Sequence, residues 1–232
     1  MPSPETILIT AFWSVATIAI YLLSKRTYRR WPAIWSSPMV LTPVLLAALA
    51  LSLHTTYSEY IGATRWLMVI LGPVTVAFAI PIYEQRAMIR RYWPVLIFGI
   101  VVGSGTAILT AWALASLLSI DGTLRLSLLP RSISTPFAMS ISENIGGVPD
   151  LTALFVVLTG VLGATLGENL LRVLPLKSSL ARGALFGMGA HGVGVAKANQ
   201  IGAEEGSVAG LVMVLVGLVN VLAAPLLAYI LR

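Results

Sequence analysis

Cysteine and charge are scarce in this sequence of 232 residues. There is no cysteine at all, which excludes a disulfide framework, thiol chemistry and a cysteine-ligated metal site. Only two histidines are present; neither belongs to a metal-binding motif, and the sequence has no phosphate-binding loop. We therefore expect no metal and no cofactor, and we predict that the protein is not an enzyme. An intramembrane hydrolase that uses Ser134 and His191 is the enzyme alternative that stays open.

Charged residues make up 10% of the chain, whereas soluble domains carry about 25%. Hydrophobic residues make up 57% and occur in long runs, so lipid surrounds most of the surface. A bilayer core about 30 Å thick needs roughly 20 helical residues per crossing. The runs are longer than barrel strands and do not alternate. The sequence therefore predicts an all-α integral membrane protein with about seven to eight transmembrane or re-entrant helices, broken in places, in one domain over residues 1–232.

Lys and Arg residues lie between the apolar runs, where they set the topology and form no basic face for nucleic acid. Placing these clusters inside predicts a multi-pass protein with its N-terminus outside and its C-terminal Arg232 inside. Residues 126–147 either span the bilayer or dip in and return to the outside. The re-entrant alternative is favoured because it leaves the three cations of residues 172–182 inside. A helix over residues 181–198 is then expected to run outward.

The segment STPFAMSISENIGG, residues 134–147, is unusually polar for such a chain. Ser134 and Thr135 can cap a helix that accepts Pro136 in its first turn, and the glycine pair at the end can terminate it. A helix that starts inside the membrane presents unpaired N–H groups and a partial positive charge, which suit a carboxylate. One face of this helix carries Pro136, Ser140, Glu143 and Asn144. The alternative is a Pro-kinked helix whose hydroxyls bond to its own backbone, with Glu143 as a solvated end.

A second polar feature lies in the glycine-rich segment GALFGMGAHGVGVAKA, residues 183–198. Small residues recur there at helical spacing, which lets helices pack closely in a membrane. The density of glycine also weakens the helix, and Gly192 and Gly194 permit a break next to His191. A membrane histidine can donate to a carboxylate or carry a coupling proton. The alternative is a structural histidine that bonds to a carbonyl of a neighbouring helix.

Two segments are similar at a constant offset: TVAFAIPIYEQ begins at Thr75, and STPFAMSISEN begins at Ser134. Each is followed by an apolar helix that contains glycine. The identical pairs are Phe78 and Phe137, Ala79 and Ala138, Ile82 and Ile141, and Glu84 and Glu143. This similarity predicts a duplicated transporter half, with copies near residues 61–118 and 121–173 and a histidine-containing helix pair at 180–232. A chance likeness between two hydrophobic helices is the alternative.

The segments SISTPFAMSISENIGGVPDLTALFVVLTGVLGATLG and ARGALFGMGAHGVGVAKANQIGAEEGSVAGL resemble the LrgB/CidB family. The resemblance covers most of the chain and is strongest from Leu129 to Leu211. It implies a protein of the bacterial inner membrane, either a holin- or antiholin-like regulator of murein hydrolases or a transporter similar to plastid glycolate/glycerate transporters. It also implies a smaller membrane partner of the LrgA/CidA type. Gly189 and Val195 replace a Ser and a Thr of the family pattern, which bears on the exact substrate.

These features together predict a secondary transporter of small monocarboxylates such as glycolate, glycerate or pyruvate, coupled to a proton or a cation. A membrane regulator of murein hydrolase export and cell lysis is the alternative. Glu143 and His191 are the candidates for coupling. The predicted substrate-binding residues are Ser134, Thr135, Pro136, Ser140, Glu143, Asn144, Thr75, His191 and Gly192. The expected partners are the carboxylate, the lipid bilayer and the LrgA/CidA-type protein, a homo-oligomer is a further option, and no nucleic acid is expected.

Overall fold

The computed structural model of the protein describes residues 4–77 and 79–230. Phe78 of the predicted repeat and the C-terminal Arg232 lie outside the described residues. Every regular element in the described ranges is helical. The α-helices of these ranges are α1 (Pro4–Arg30), α2 (Pro38–Ser52), α3 (Tyr57–Val69), α4 (Leu71–Ala77), α5 (Ala79–Glu84), α6 (Arg86–Leu117), α7 (Gly122–Leu128), α8 (Thr135–Ile145), α9 (Pro149–Val173), α10 (Ser179–Ile201) and α11 (Ala203–Ile230). A 3-10 turn at Leu129–Ser132 lies between α7 and α8.

Five stretches of the described residues are long and apolar enough to cross a membrane. They are Glu5–Arg30, Tyr57–Glu84, Arg86–Leu117, Pro149–Val173 and Ala203–Tyr229. Large apolar side chains such as Val102, Leu158 and Leu222 are exposed on these stretches, as expected for helices that face lipid. The structure confirms the prediction of an all-α integral membrane protein.

The chain forms two compact units, Met1–Val74 and Thr75–Arg232. In the first unit α1 packs against α2 and α3. The buried Trp13 ring meets the Tyr60 ring edge-on, with 5.2 Å between the ring centroids. This aromatic contact joins α1 to α3, and such pairs are stabilising beyond the area that they bury. The predicted single membrane domain over the whole chain stays a prediction.

The second unit contains three long helices, α6, α9 and α11, and two short helical hairpins. The two ends of the first hairpin, residues 127–148, lie next to each other. The Val148 N–H donates to the Ser127 hydroxyl at 2.8 Å, and the Thr152 hydroxyl donates to the Ser127 carbonyl at 2.9 Å. Gly146, with φ of +87°, makes the left-handed turn that ends α8. This part of the chain therefore folds back on itself, as the re-entrant alternative requires, and does not form one spanning helix.

The first hairpin reaches only the middle of the long helices. Its α8 has 11 residues, so it is about 16 Å long, roughly half of a bilayer core. At the far end of the hairpin the Arg131 guanidinium lies 3.5 Å from the hydroxyl of Thr159, near the middle of α9. Phe137, in the first turn of α8, lies against Gly217 near the middle of α11. The tip of the first hairpin, residues 131–135, thus lies at the mid-depth of two long helices.

The second hairpin is α10, which reverses direction at His191. This residue has φ of 45° and ψ of −126°, outside the helical region, and it separates residues 179–190 from residues 192–201. The two halves pack side by side, because a side chain on Gly194 would meet the Phe186 carbonyl. In a continuous helix these two residues would lie about 12 Å apart.

Both ends of the second hairpin lie at the same place. The Ser179 hydroxyl donates to the Glu204 carboxylate at 2.9 Å, and Arg182 donates from Nε to Glu205 at 3.0 Å. The prediction that residues 181–198 form one helix running outward is therefore wrong. A high density of glycine indicates a weak point in a helix, but it does not distinguish a kink from a reversal. The backbone angles of one residue decide between them.

The two hairpins enter from opposite ends of α9. The first hairpin is tied to the first turn of α9 at Thr152. The second hairpin starts after α9 ends. Its Phe186 ring packs against Gly167 in the later half of α9, where an added Cβ would lie 2.9 Å from the ring. Its tip, at His191, reaches Gly160 near the middle of α9. Each hairpin therefore covers about half of the length of α9, and their tips point toward each other.

A hairpin followed by a long helix thus occurs twice, in opposite orientation. Residues 122–173 run from the base of the first hairpin to the other end of the unit, and residues 179–230 return. The repeat predicted from the segments that begin at Thr75 and Ser134 is a different pairing and stays a prediction. In the structure, α5 from the first segment and α8 from the second both pack against α11.

Candidate functional site at the hairpin tips

The tips of the two hairpins meet beside the middle of α9. The main chain of Ser132 lies within interacting distance of the His191 imidazole. On α9, Thr159 contacts the first tip, and a Cβ on the neighbouring Gly160 would lie 3.7 Å from His191 Nδ1 and 3.3 Å from the Ala190 carbonyl. The small residue at position 160 therefore lets the second tip approach α9 closely.

Two helices begin at this meeting point. α8 begins after Ser134, whose φ of −63° and ψ of 145° are typical of an N-cap. The second half of α10 begins at Gly192, directly after the reversal. The first N–H groups of a helix have no acceptor within the helix, and the helix dipole places a partial positive charge there. Because both helices start at the same place, the region favours an anion.

Two buried polar atoms at the tips have no hydrogen-bond partner in the described part of the chain. They are the Ser134 hydroxyl and His191 Nε2. Ser134 is 6% exposed and His191 is 3% exposed. Buried polar groups nearly always have a partner, and an unpaired one costs about 1–3 kcal/mol. Since α8 does not use the Ser134 hydroxyl as a side-chain cap, both atoms are available to a ligand. Both residues are among those that the sequence predicts for the site.

The backbone of His191 is strained as well. A φ of 45° is a left-handed value that glycine adopts easily and other residues rarely adopt. Such strain costs about 1–3 kcal/mol and concentrates at functional sites. Glycines stand on either side of the Ala190–His191 pair, yet the reversal itself is made by the imidazole-bearing residue. The combination of strain and an unpartnered ring distinguishes His191 from a purely structural histidine.

Arg131 belongs to the first tip, although it is not among the site residues predicted from the sequence. Its side chain is half-buried, and its charge acts on the His191 imidazole. Because a helix start alone was expected to bind the carboxylate, no cation was among the predicted site residues. A signal was available in the sequence, because an arginine inside a segment that dips into the membrane is expensive and usually functional.

The other predicted residues of α8 divide into two groups. Thr135 and Pro136 are half-buried in the first turn, next to the tip. Ser140, Glu143 and Asn144 are exposed, and Asn144 donates from Nδ2 to the Ser140 carbonyl at 2.8 Å. Glu143 lies about 13 Å along α8 from the N-cap, so the two predicted coupling residues are at different depths. The roles of the exposed residues in binding and coupling stay predictions.

Thr75, the predicted counterpart of Ser134, is half-buried in α4. Among the described residues α4 makes no extensive packing contact with α8, α9 or α10. The next helix, α5, packs against α11. The part of Thr75 in binding stays a prediction.

A cavity of about 150 Å³ opens beside the first hairpin. Its walls are mainly apolar, with Ile108, Ile133 and Leu226 among them, and Asn220 adds an amide. A narrower space of about 10 Å³ shares some of these walls and reaches Ser132 at the first tip. Both spaces lie on the side of the first hairpin that faces α6 and α11. Within the ranges that the structure describes, no group of three His, Asp or Glu side chains could hold a metal ion.

The sequence matches the model of the LrgB-like family over residues 17–230. The uncharacterized protein YwbG of Bacillus subtilis (strain 168) is 38% identical over 211 residues, which cover 91% of this chain and 94% of that protein. The antiholin-like protein LrgB of the same organism is 33% identical over 170 residues, which cover 73% of this chain and 74% of that protein. No solved structure is significantly similar to this chain. With its membrane-spanning helices and a family match over nearly its whole length, the chain is a multi-pass membrane protein that belongs to the LrgB-like family.

Proposed function

We propose that this protein is a secondary transporter of small monocarboxylates, of the size of glycolate, glycerate or pyruvate. One observation carries the proposal: α8 and the second half of α10 begin at the two tips that meet, beside the buried and unpartnered Ser134 hydroxyl and His191 Nε2. Two helix starts and two available polar atoms suit a small anion. Known secondary transporters place broken helices from inverted halves around a site at the membrane midplane.

Each residue at the tips has a role in this proposal. The carboxylate binds at the start of α8, where the Ser134 hydroxyl donates a hydrogen bond to it. Thr135 lies in the first turn of the same helix. His191 binds a second polar group of the acid, and Gly192 lets the main chain approach it. His191 is also the candidate carrier of a coupling proton, and Glu143 on the exposed face of α8 is the second candidate for coupling.

Charge supports an orientation in the bacterial inner membrane. The cations of residues 172–182 lie at the base of the second hairpin, whereas Asp121 and Asp150 lie near the base of the first hairpin. The tendency of Lys and Arg to remain inside places the base of the second hairpin in the cytoplasm. α11 starts at that base and crosses once, so this orientation puts its far end outside. It differs from the expectation of a cytoplasmic C-terminus, which stays a prediction.

Counterflow in liposomes tests the transport proposal. Purified protein is reconstituted in vesicles preloaded with pyruvate, lactate or glycolate, and entry of the radiolabelled acid is followed. We expect saturable flux for the wild type and none for the double variant Ser134→Ala with His191→Ala. Ser207→Ala is the matched control, because Ser207 is an exposed serine near the start of α11, at the base of the second hairpin and outside the predicted site. Absence of flux for every two- and three-carbon acid, or equal flux in wild type and double variant, contradicts the proposal.

A holin- or antiholin-like regulator of murein hydrolase export and cell lysis is the second candidate. The name of one relative, antiholin-like protein LrgB, favours this candidate over transport. Such a regulator is expected to act with an LrgA/CidA-type membrane partner or as a homo-oligomer. It predicts leakage of unrelated solutes, or altered lysis when both partners are expressed, without saturable and stereoselective flux.

A further inference from the structure

We propose that Arg131 is the counter-ion of the transported acid and that it limits the acid to a single negative charge. This inference rests on the proposed transport function and concerns the same tips. It adds the residue that supplies the charge and the property of the substrate that this charge selects.

Arg131 differs from the cations of α7 and α10, which are Arg125, Arg182 and Lys197, because those have acidic partners. Arg125 pairs with Asp121, and Arg182 pairs with Glu205. On the other side of α9, Lys197 lies 2.9 Å from Glu168. In the part of the chain that the structure describes, no carboxylate lies within 4.0 Å of the Arg131 guanidinium, which contacts the neutral Thr159 hydroxyl at 3.5 Å.

An unpaired cation at the middle of a membrane costs free energy, so we expect an anion to bind beside Arg131. The guanidinium is half-buried at the middle of α9, a region distant from both ends of the unit. Charges within a membrane are rare and normally find a partner there. Ser132, the next residue, contacts His191, and Ser134 follows two residues later. The free hydroxyl, the free imidazole nitrogen and the guanidinium therefore all belong to residues of the two tips that meet here.

The number of charges then selects the ligand. One guanidinium neutralises one carboxylate and can hold both of its oxygens through two parallel N–H donors. A dicarboxylate would bring a second negative charge for which the described tips hold no second permanent cation, since the His191 imidazole is charged only while it carries the coupling proton. A neutral amide would leave the guanidinium unpaired. The site is therefore expected to take a short acid with one carboxylate.

The experiment uses the same reconstituted vesicles with single substitutions and three related competitors. The variants are Arg131→Gln, which removes the charge, and Arg131→Lys, which keeps the charge but not the paired donors. Arg125→Gln is the matched control, because Arg125 is an arginine in the preceding helix with its own acidic partner. The competitors are lactate, its neutral amide lactamide, and the dianion malonate. Thermal unfolding of the detergent-solubilised protein with each competitor gives a second readout that needs no flux.

We expect Arg131→Gln to weaken apparent binding of lactate roughly 10- to 100-fold, as for loss of a charged hydrogen bond, and Arg131→Lys to weaken it about 10-fold. Lactate should raise the melting temperature of the wild type, whereas lactamide and malonate should not. Arg125→Gln should behave as the wild type does.

The outcomes separate this inference from the transport proposal. Wild-type flux together with unchanged lactate affinity in Arg131→Gln overturns the inference and leaves transport in place. If Arg131→Gln does not fold, unchanged affinity in Arg131→Lys overturns it in the same way. Equal competition by malonate and lactate also contradicts it. Absence of flux with a lactate-induced melting shift that Arg131→Gln loses rejects transport but supports Arg131 as the anion ligand. Absence of both flux and shift rejects both.

Discussion

The two hairpins of the second unit each return to their starting point, but different contacts close them. The base of the first hairpin is held by neutral hydroxyls: the Thr152 hydroxyl donates to the Ser127 carbonyl at 2.9 Å and shares a hydrogen bond with the Ser142 hydroxyl at 2.7 Å, and all three side chains are fully buried. The base of the second hairpin is held by ions, chiefly Arg182 with the buried Glu205. The same backbone shape is therefore reached through two kinds of chemistry.

Glycine separates the hairpins further. In the second hairpin, side chains on Gly183 or Gly187 would collide with the main chain of α11, and one on Gly194 would collide with Phe186 of the facing half. The first hairpin instead packs large side chains, with Phe137 and Ile141 buried among their neighbours. The second hairpin thus depends on close backbone contact, which lets two half-helices fit beside two long ones. The first depends on side-chain packing and on a hydroxyl network.

The largest test of this difference is Gly187→Ala. The new Cβ would lie 2.9 Å from the Ala209 Cα, and closer still to the Ala209 carbonyl oxygen, so α10 and α11 must separate. Overpacking of this kind costs about 1–3 kcal/mol, and backbone cannot move aside as a flexible side chain can. We expect a clearly lower melting temperature in detergent and poor yield of monodisperse protein, measured by fluorescence-detected size exclusion.

Gly189→Ala is the matched control for Gly187→Ala. Gly189 lies in the same half of the second hairpin, but a Cβ there would meet nothing within 4 Å. Alanine has the higher helix propensity, so this variant should be as stable as the wild type or more stable by about 0.5–1 kcal/mol. Equal behaviour of the two alanine variants would show that close backbone contact does not hold the second hairpin.

Much of the fold could be predicted from the sequence, because the relevant signals are local. Long apolar runs and low charge identify the membrane class, and Ser134 followed by Pro136 marks the start of α8. Gly146 and Gly147 mark its end. The positions of three distant cations favour the re-entrant course of this stretch, because Lys and Arg residues tend to remain on the cytoplasmic side of the membrane.

The reversal at His191 could not be predicted in the same way. Whether a glycine-rich helix continues, bends or folds back depends on the surface against which it packs, here Gly160 and Gly163 of α9. Those contacts are far apart in the sequence. Arg131 was overlooked for a related reason, since its significance lies in the depth of the first tip and in the lack of an acidic neighbour among the described residues.

A second comparison, with an expected effect of intermediate size, concerns the contacts that hold the bases of the two hairpins together. Glu205→Gln leaves Arg182 without its charge partner, and we expect a loss of about 2 kcal/mol, less than for a fully buried pair because Arg182 is partly exposed. Thr152→Val keeps the shape but removes a hydrogen-bonded hydroxyl, and should cost about 1 kcal/mol.

The ionic strength should separate these two variants. Salt screens the wild-type ion pair in part, so the loss caused by Glu205→Gln should shrink between low and high salt, whereas the loss caused by Thr152→Val should not change. Thermal unfolding at both salt concentrations measures the two differences. Glu204→Gln is the control, since its exposed carboxylate accepts one hydroxyl hydrogen bond from Ser179. An identical salt response in all three variants would remove the distinction between an ionic and a neutral base.

The smallest expected effect, and the most specific one, concerns the reversal at the tip of the second hairpin. His191→Ala and His191→Gly both remove the imidazole, but only glycine adopts φ of 45° without strain. His191→Gly should therefore be more stable than His191→Ala by about 1 kcal/mol, although glycine usually destabilises a helix by that amount. Thermal unfolding gives the difference, and Gly192→Ala provides the reference, because residue 192 has helical backbone and open space around it. If transport depends on the ring, as proposed, both His191 variants lose flux in spite of their different stabilities. A more stable alanine variant would mean that the chain does not reverse at His191. In that case α10 is not a hairpin, and the comparison of two hairpins does not hold.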